Sequence, residues 1–475
     1  MISPAHLLVS LALAAGTCPE AIPSDAKPDH AALQACLDKG GLVALEPGEY
    51  LIAAPMYLTR NGTQLTSADP ANKARLVADV DLYDTMLRAS RPENYVISHI
   101  VFDGRIHERR KASKCKGYRG GGTNLFTQGK GYQLLDIEST GSLCGSALQA
   151  EGSDYEIAGC RIHDNGSTTA LSPGVPEPWS DGLTLLSCER GKVHGNKLSD
   201  NTDINLVVGG GHDCVIEGNT IEQTHIYGFA GLHIWNFDLS GKGDHAGSVY
   251  RKNTITAAKD TLAFGIGVGG HAWSSTTHVH DAGTVTQNVV RGAVVGLAVD
   301  GIEKGTVTGN DVKESRGSDA MYDCTKSANY TAGHFGEAKL DPGYVGRVYH
   351  DGNCQDLKPQ NGAVFVRQTV PPRLKAGAAA TATLVFRNTG AAEWKDSGGY
   401  KLGAQAPNDN LTFRSGRVRL GSDATVGNGA EYAFTVPFKA PARAGTYVFQ
   451  WRLVQEKVEW FGQSSKAVSI VVTKP

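Results

Sequence analysis

Val193-His-Gly-Asn196-Lys-Leu198 returns as Ile216-Glu-Gly-Asn219-Thr-Ile221, Tyr250-Arg-Lys-Asn253-Thr-Ile255, Val285-Thr-Gln-Asn288-Val-Val290 and Val307-Thr-Gly-Asn310-Asp-Val312, preceded by Ile157-Ala-Gly-Cys160-Arg-Ile162. Apolar residues alternate with polar ones on both sides of the Asn, the pattern of short strands with one buried face. The asparagines are 23, 34, 35 and 22 residues apart, so each interval is one coil, two of them carrying an inserted loop. Between these segments lies a second strand type: Gly182-Leu-Thr-Leu185, Asp203-Ile-Asn-Leu206, Gly231-Leu-His-Ile234, Gly265-Ile-Gly-Val268 and Gly296-Leu-Ala-Val299. A unit this short buries its apolar face only against its neighbours, so the repeat predicts a solenoid. Stacking the coils predicts a ladder of side-chain amides through Asn196, Asn219, Asn253, Asn288 and Asn310, each bonding the next about 4.8 Å away. Cys160 stands at the ladder position of the preceding coil.

The rest of the composition is compatible with this. The chain has 475 residues, 58 of them Gly, and a net charge of −2, which excludes an acidic disordered tail and a protein that coats nucleic acid. After the first 16 residues no apolar run approaches the roughly 20 needed to cross a bilayer. Leu7 to Ala15 is a short apolar segment followed by small residues, so residues 1–17 are expected to be a signal peptide and the chain secreted or periplasmic. Nine cysteines in an exported chain imply disulfides. With Cys160 in the ladder as the unpaired thiol, the other eight fall into neighbours: Cys18–Cys36, Cys115–Cys144, Cys188–Cys214 and Cys324–Cys354.

The repeat resembles the right-handed parallel β-helix of the pectate lyase and polygalacturonase superfamily, over about residues 25–350. The opening is similar too, Asp29-His-Ala-Ala-Leu-Gln-Ala-Cys-Leu37 before Gly40-Gly-Leu-Val-Ala-Leu-Glu-Pro-Gly-Glu-Tyr50. In that superfamily a short helix plugs the N-terminal end, and Leu33, Cys36 and Leu37 share one helical face, as a plug requires. The resemblance implies an all-β chain: a parallel β-helix with an N-terminal capping helix over 18–357, followed by an Ig-like β-sandwich over 358–475. In the second part, Phe386-Arg-Asn-Thr-Gly-Ala-Ala-Glu-Trp394, Ala442-Arg-Ala-Gly-Thr-Tyr447 and Trp451 to Gly462 look like the Ig-like four-tryptophan module, with Trp394, Trp451 and Trp460 matched. Pro371-Pro372 and an Ala/Gly-rich stretch read as a linker over Lys358 to Ala379. From Asn361 onward there are 15 Lys/Arg against 7 Asp/Glu, a net +8 that leaves −10 for the rest. This charge permits contact with an anionic glycan or cell wall, though a solvated surface is the default.

In polygalacturonases aspartates sit at the starts of strands in one sheet. Trp179-Ser-Asp181-Gly and Asn201-Thr-Asp203-Ile place Asp181 and Asp203 similarly, but the chain has no Asp-Asp, Gly-His-Gly or Arg-Ile-Lys motif, so pectin itself is not the expected substrate. If Leu183, Ile204, Leu232 and Ile266 point inward, then Thr184, Asn205, His233 and Gly267 form an outward column. Asp203 and Trp235 would lie beside that column. Trp179, Trp235 and Trp273 could stack on sugar faces, and Arg291 or Lys259 could meet a uronate. No cofactor is expected. The His-x-His-Asp cluster of His278, His280 and Asp281 could bind a transition metal, but loop polarity accounts for it, and calcium would need converging carboxylates.

The expected activity is glycoside hydrolysis by Asp181 and Asp203 on a polysaccharide. Two alternatives stand beside it: a polysaccharide lyase with His233 as base on a uronic-acid polymer, and a non-catalytic glycan-binding or adhesion protein. No nucleic acid or membrane span is expected.

Overall fold

The computed structural model describes residues 18, 20–109, 122–167, 179–237, 243–271, 278–316, 327–346, 361–390, 392–405 and 407–474. The expected signal peptide, Trp273, and the pair Cys324–Cys354 lie outside these residues.

Each coil of the solenoid gives one short strand to each of three parallel sheets. The first sheet runs from Leu42–Leu45 to Lys339–Leu340, the second from Glu49–Ile52 to Asp311–Lys313, and the third from Met56–Leu58 to Val345–Gly346. Register follows the repeat: Leu134 pairs with Ile157, then Val193, Ile216, Tyr250, Val285 and Val307, and all are buried inside the coil. A one-residue slip would turn this whole column out to water, which is why the alternation fixes the pairing.

The amide ladder forms at the turn between the first and second sheets. Asn196 Nδ2 donates to Asn219 Oδ1, Asn219 to Asn253, Asn253 to Asn288 and Asn288 to Asn310, each at 2.9 Å. The second proton of each Nδ2 goes to a backbone carbonyl, as in Asn253 Nδ2 to Ile216 O at 3.1 Å, so these buried amides are satisfied. Cys160 ends the ladder, its backbone N–H donating to Asn196 Oδ1 at 2.9 Å. It is a free thiol, and burial pushes it up to about 12. The disulfides Cys18–Cys36 and Cys188–Cys214 are formed as expected. Cys144 is also disulfide-bonded, while its expected partner Cys115 lies outside the described residues.

The N-terminal opening is closed by the helix His30–Lys39, which buries Leu33, Cys36 and Leu37 and ends at Gly40 with φ 72°, a conformation that glycine adopts without a Cβ clash. Burying Leu33 and Leu37 contributes roughly 1.5–3 kcal/mol each, and the bond to Cys18 pins the helix to the segment before it.

Residues 363–473 form sheets that are antiparallel except for the parallel pair Arg373–Lys375 and Val468–Thr473, around a separate core that contains Phe386, Trp394, Leu402, Phe434, Trp451 and Leu453. The stretch expected to be a linker carries the strands Ala363–Thr369 and Arg373–Lys375. Its Pro371-Pro372 only turns the chain between them. No helix among the described residues is long and apolar enough to cross a membrane.

Candidate active site

The third sheet carries the residues of interest, and its register differs from the expectation by two positions in one coil. Leu183 pairs with Leu206, Leu206 with Leu232, Leu232 with Ile266 and Ile266 with Leu297, and these are the inward residues. Ile204 instead pairs with Ala230 on the outer side, in a cluster with Val207, Phe229, Phe264 and Val295. The outward column therefore reads Gln149, Thr184, Val207, His233, Gly267, Ala298 and Thr331.

Asn205 is not part of it. It faces inward, donating from Nδ2 to Gln223 Oε1 at 2.8 Å and accepting from Asn201 Nδ2 at 2.8 Å. Asn165 Nδ2 in turn donates to Asn201 Oδ1 at 2.8 Å. This second amide ladder occupies the turn between the second and third sheets. Its trace in the sequence is the repeated pair Asp164-Asn165 and Asp200-Asn201, in which both aspartates take a positive φ of 55°, a conformation Asp tolerates better than most residues.

The outer face is also not an open polar strip. Thr184, His233, Val207 and Trp235 are all at least nine-tenths buried. Strands covered on both sides read as continuous apolar runs, as Leu262–Val268 does, and parity alone does not distinguish that from an exposed groove. His233 is fully buried, donates from Nε2 to Gly269 O at 2.9 Å, and stacks beside Phe229. A Cβ at Gly267 would lie 3.3 Å from its ring, so glycine there makes the seat. Burial pulls the imidazole down to about 4, against the bond to Gly269, and it stays neutral. Trp235 meets His233 edge-on, with ring centres 5.5 Å apart. Half-buried Trp179 meets Tyr227 in the same way at 6.2 Å. Arg291 belongs to the second sheet and is bound to Asp311 through its carboxylate and carbonyl, so it is a paired surface cation away from this strip. Lys259 lies beside Asp260.

Asp181 and Asp203 do come together. Asp181, at the start of Ser180–Leu185, is 2 % exposed. It accepts from Thr184 Oγ1 at 2.8 Å and from the backbone N–H of Ile204 at 3.1 Å. Ser146 backs Thr184 at 2.6 Å. Burial raises Asp181 to about 7, with the bonds from Thr184, Ile204 and Ser146 opposing it. Asp203 is half-buried, and its Oδ1 is enclosed with no hydrogen-bond partner among the described residues. Burial, and then the charge of Asp181, raises Asp203 well above the usual carboxylate range. The charge of Asp181 thus opposes the ionisation of Asp203, and two interacting carboxyls titrate as a pair.

A cavity of about 730 Å³ lies elsewhere, at the junction of solenoid and sandwich, lined by Arg105, His107, Glu108, Asp164, Arg367 and Gln463 among others. Beside it Asp164 binds His163 Nδ1 at 2.7 Å and His225 Nε2 at 3.2 Å, and accepts from Gln463 Nε2 of the sandwich at 2.6 Å. His225 Nδ1 also faces Asp200 at 3.0 Å. Asp164, Asp200 and His225 converge closely enough to hold an ion. Burial, which would lower His225, is outweighed by the two carboxylates, which raise it to about 10. Without an ion the group is an ion-pair network within the solenoid, and the hydrogen bond from Gln463 ties it to the sandwich. The other converging set, Cys18, Glu20 and Cys36, is occupied by a disulfide. Within the sandwich five of the cations share three carboxylates: Arg367 and Arg387 pair with Glu431, Arg417 and Lys401 with Glu456, and Arg419 with Asp396.

Residues 106–281 match the family model described as right handed beta helix region, and residues 371–472 match the Ig-like domain from next to BRCA1 gene. The chain is a right-handed parallel β-helix followed by an Ig-like domain. Among solved structures the β-helix is similar to the Azotobacter vinelandii mannuronan C-5 epimerase AlgE6 A-module, at 15% identity over 70% of this chain and 97% of that one, with a TM-score of 0.42. The DFA-IIIase of Arthrobacter chlorophenolicus A6 matches at 13% identity over 72% and 95%, TM-score 0.39. The tailspike protein gp49 of Acinetobacter baumannii bacteriophage Fri1, a capsular polysaccharide depolymerase, matches at 9% identity over 95% and 81%, TM-score 0.34. No curated protein matches the sequence.

Proposed function

We propose that this chain is an exported glycoside hydrolase in which Asp203 is the general acid and Asp181 the base or nucleophile. The observation that carries the reading is the opposed pair: two neighbouring carboxyls, both raised, Asp203 the further. Such a pair holds one proton over the range in which one group must donate and the other accept. The resemblance to the β-helix superfamily supplies the substrate class, a polysaccharide. The disulfides at Cys18–Cys36 and Cys188–Cys214 support an oxidising compartment, hence export. Thr184 serves as the residue that orients Asp181, and Trp179, half-buried at the edge of the aromatic cluster, serves as a sugar platform.

A lyase with His233 as base is disfavoured because that imidazole is enclosed, is tied to Gly269 O, and sits in a column two coils beyond Thr184. The experiment is digestion of a glycan panel, followed by reducing-end release and ultraviolet absorbance. Hydrolysis gives new reducing ends without the conjugated double bond, and Asp203→Asn lowers kcat by two or more orders of magnitude, as loss of a general acid requires (about 10²–10⁴-fold). Absorbance growing with cleavage, or a fully active Asp203→Asn, overturns the assignment.

A further inference from the structure

At the far end of the third-sheet strands, away from Asp181 and Asp203, three histidines from separate coils meet. His271 follows Leu262–Val268, His334 follows Ala328–Ala332, and His278 immediately precedes Val279–Thr286. Their ring centres are 4.6 Å apart for His271 and His278, 5.4 Å for His278 and His334, and 6.0 Å for His271 and His334. The Nε2 atoms of His271 and His278 face each other at 3.4 Å.

Behind them the seat is built. His271 Nδ1 lies 2.9 Å from Asp300 Oδ1, and that oxygen also accepts the backbone N–H of His334 at 2.9 Å. Asp300 is 1 % exposed. A carboxylate only accepts, so Nδ1 of His271 carries the proton and its Nε2 lone pair is turned toward His278. Gly301, at φ 84°, has no room for a side chain: a Cβ there would stand 2.6 Å from the His271 ring. Neighbouring His280 is engaged differently, with Nδ1 3.0 Å from Glu303.

A zinc-class ion sits about 2.0–2.1 Å from each imidazole nitrogen in a tetrahedral set. That geometry places ligand nitrogens about 3.4 Å apart and ring centres about 5 Å apart; the Nε2 atoms of His271 and His278 already have the first spacing, while the nitrogens of His334 stand farther off, so its exposed side chain must turn toward the other two to complete the set. A carboxylate on the far nitrogen of a ligating histidine is the usual support for such a site, and an all-imidazole set selects transition metals over calcium or magnesium.

We propose that His271, His278 and His334 form a binding site for a divalent transition metal of the zinc class, with Asp300 as the positioning residue and the fourth coordination position left to water or an oxygen ligand. The site is independent of the hydrolase reading, and its test does not use activity.

The untagged full chain, stripped with a chelator, is titrated with Co²⁺. One equivalent is expected to bind with the visible bands of tetrahedral cobalt and to be displaced by Zn²⁺. His278 and His334 are exposed, so His278→Ala and His334→Ala should fold as wild type, with unchanged metal-free thermal unfolding. Each should lose the tetrahedral spectrum, and His280→Ala should keep it. Asp300→Asn should weaken binding about 10–100-fold. Absence of the cobalt spectrum in the wild type, wild-type affinity in the His278→Ala/His334→Ala double variant, or loss in His280→Ala equal to that in His278→Ala overturns the proposal.

Discussion

Asp181→Asn should make the protein more stable at high pH while removing its activity. Asp181 titrates at about 7 in the folded chain and at 3.8 when unfolded. Its stabilising contribution is therefore fully present below pH 3.8 and is lost as pH rises through about 7. Above that point the carboxylate, taken out of water and tied only to Thr184, Ile204 and Ser146, costs about 4 kcal/mol relative to the unfolded chain. An amide carries no such cost. It does give up the charge-assisted part of the bonds from Thr184 Oγ1 and the Ile204 N–H, about 2 kcal/mol, which leaves a net gain of about 2 kcal/mol at pH 8. At pH 4, where the wild-type carboxyl is protonated in the folded state, the gain should vanish or reverse. Urea unfolding of both proteins at pH 4, 6 and 8 measures the difference through the midpoint and slope. A stability difference that stays constant between pH 4 and pH 8, or a variant destabilised most at pH 8, refutes the raised carboxyl and with it the shared proton of the proposed acid pair.

Three further outcomes are expected. The rate of glycan cleavage should rise with pH along a limb near 7, as Asp181 ionises while Asp203 keeps its proton, and Thr184→Val, which removes a bond favouring the carboxylate, should move that limb to higher pH; a rate that falls through this range contradicts the role of Asp181. Asn253→Ala deprives Asn219 Nδ2 and the backbone N–H of Asn219 of their acceptor and strands Ile216 O, so urea unfolding should show a loss of about 3 kcal/mol or more, the cost of several unsatisfied buried groups. Thiol labelling of the unreduced protein should leave Cys160 untouched when folded and modify it on denaturation; labelling of Cys188 or Cys214 would contradict their disulfide.

The repeat of Val, Asn and Ile at fixed offsets was enough to determine the coil, the inward columns of the first and second sheets and the amide ladder, because each depends only on alternation and on an amide returning once per turn. The position of Cys160 in that column, and the face of the capping helix through Leu33, Cys36 and Leu37, were legible for the same local reason. The neighbourhood of Asp181 and Asp203 could be read from their places at successive strand starts. What they do there could not, because the carboxyls are raised by burial, which is set by the packing of successive coils rather than by local sequence. Asn205 and Ile204 show the limit of parity: Ile204, Ala230, Phe264 and Val295 lie on the outer side and Leu206, Leu232, Ile266 and Leu297 on the inner, two residues on in each strand, so strict alternation fails at Asn205 and its equivalents. The seat of His233 over Gly267 depends on the next coil, and so does the burial of both faces of the third sheet. The histidine trio depends on folding most of all. His334 lies 63 residues beyond His271, and only the stacking of successive coils, each adding one strand to the sheet, brings their rings together against the single carboxylate of Asp300.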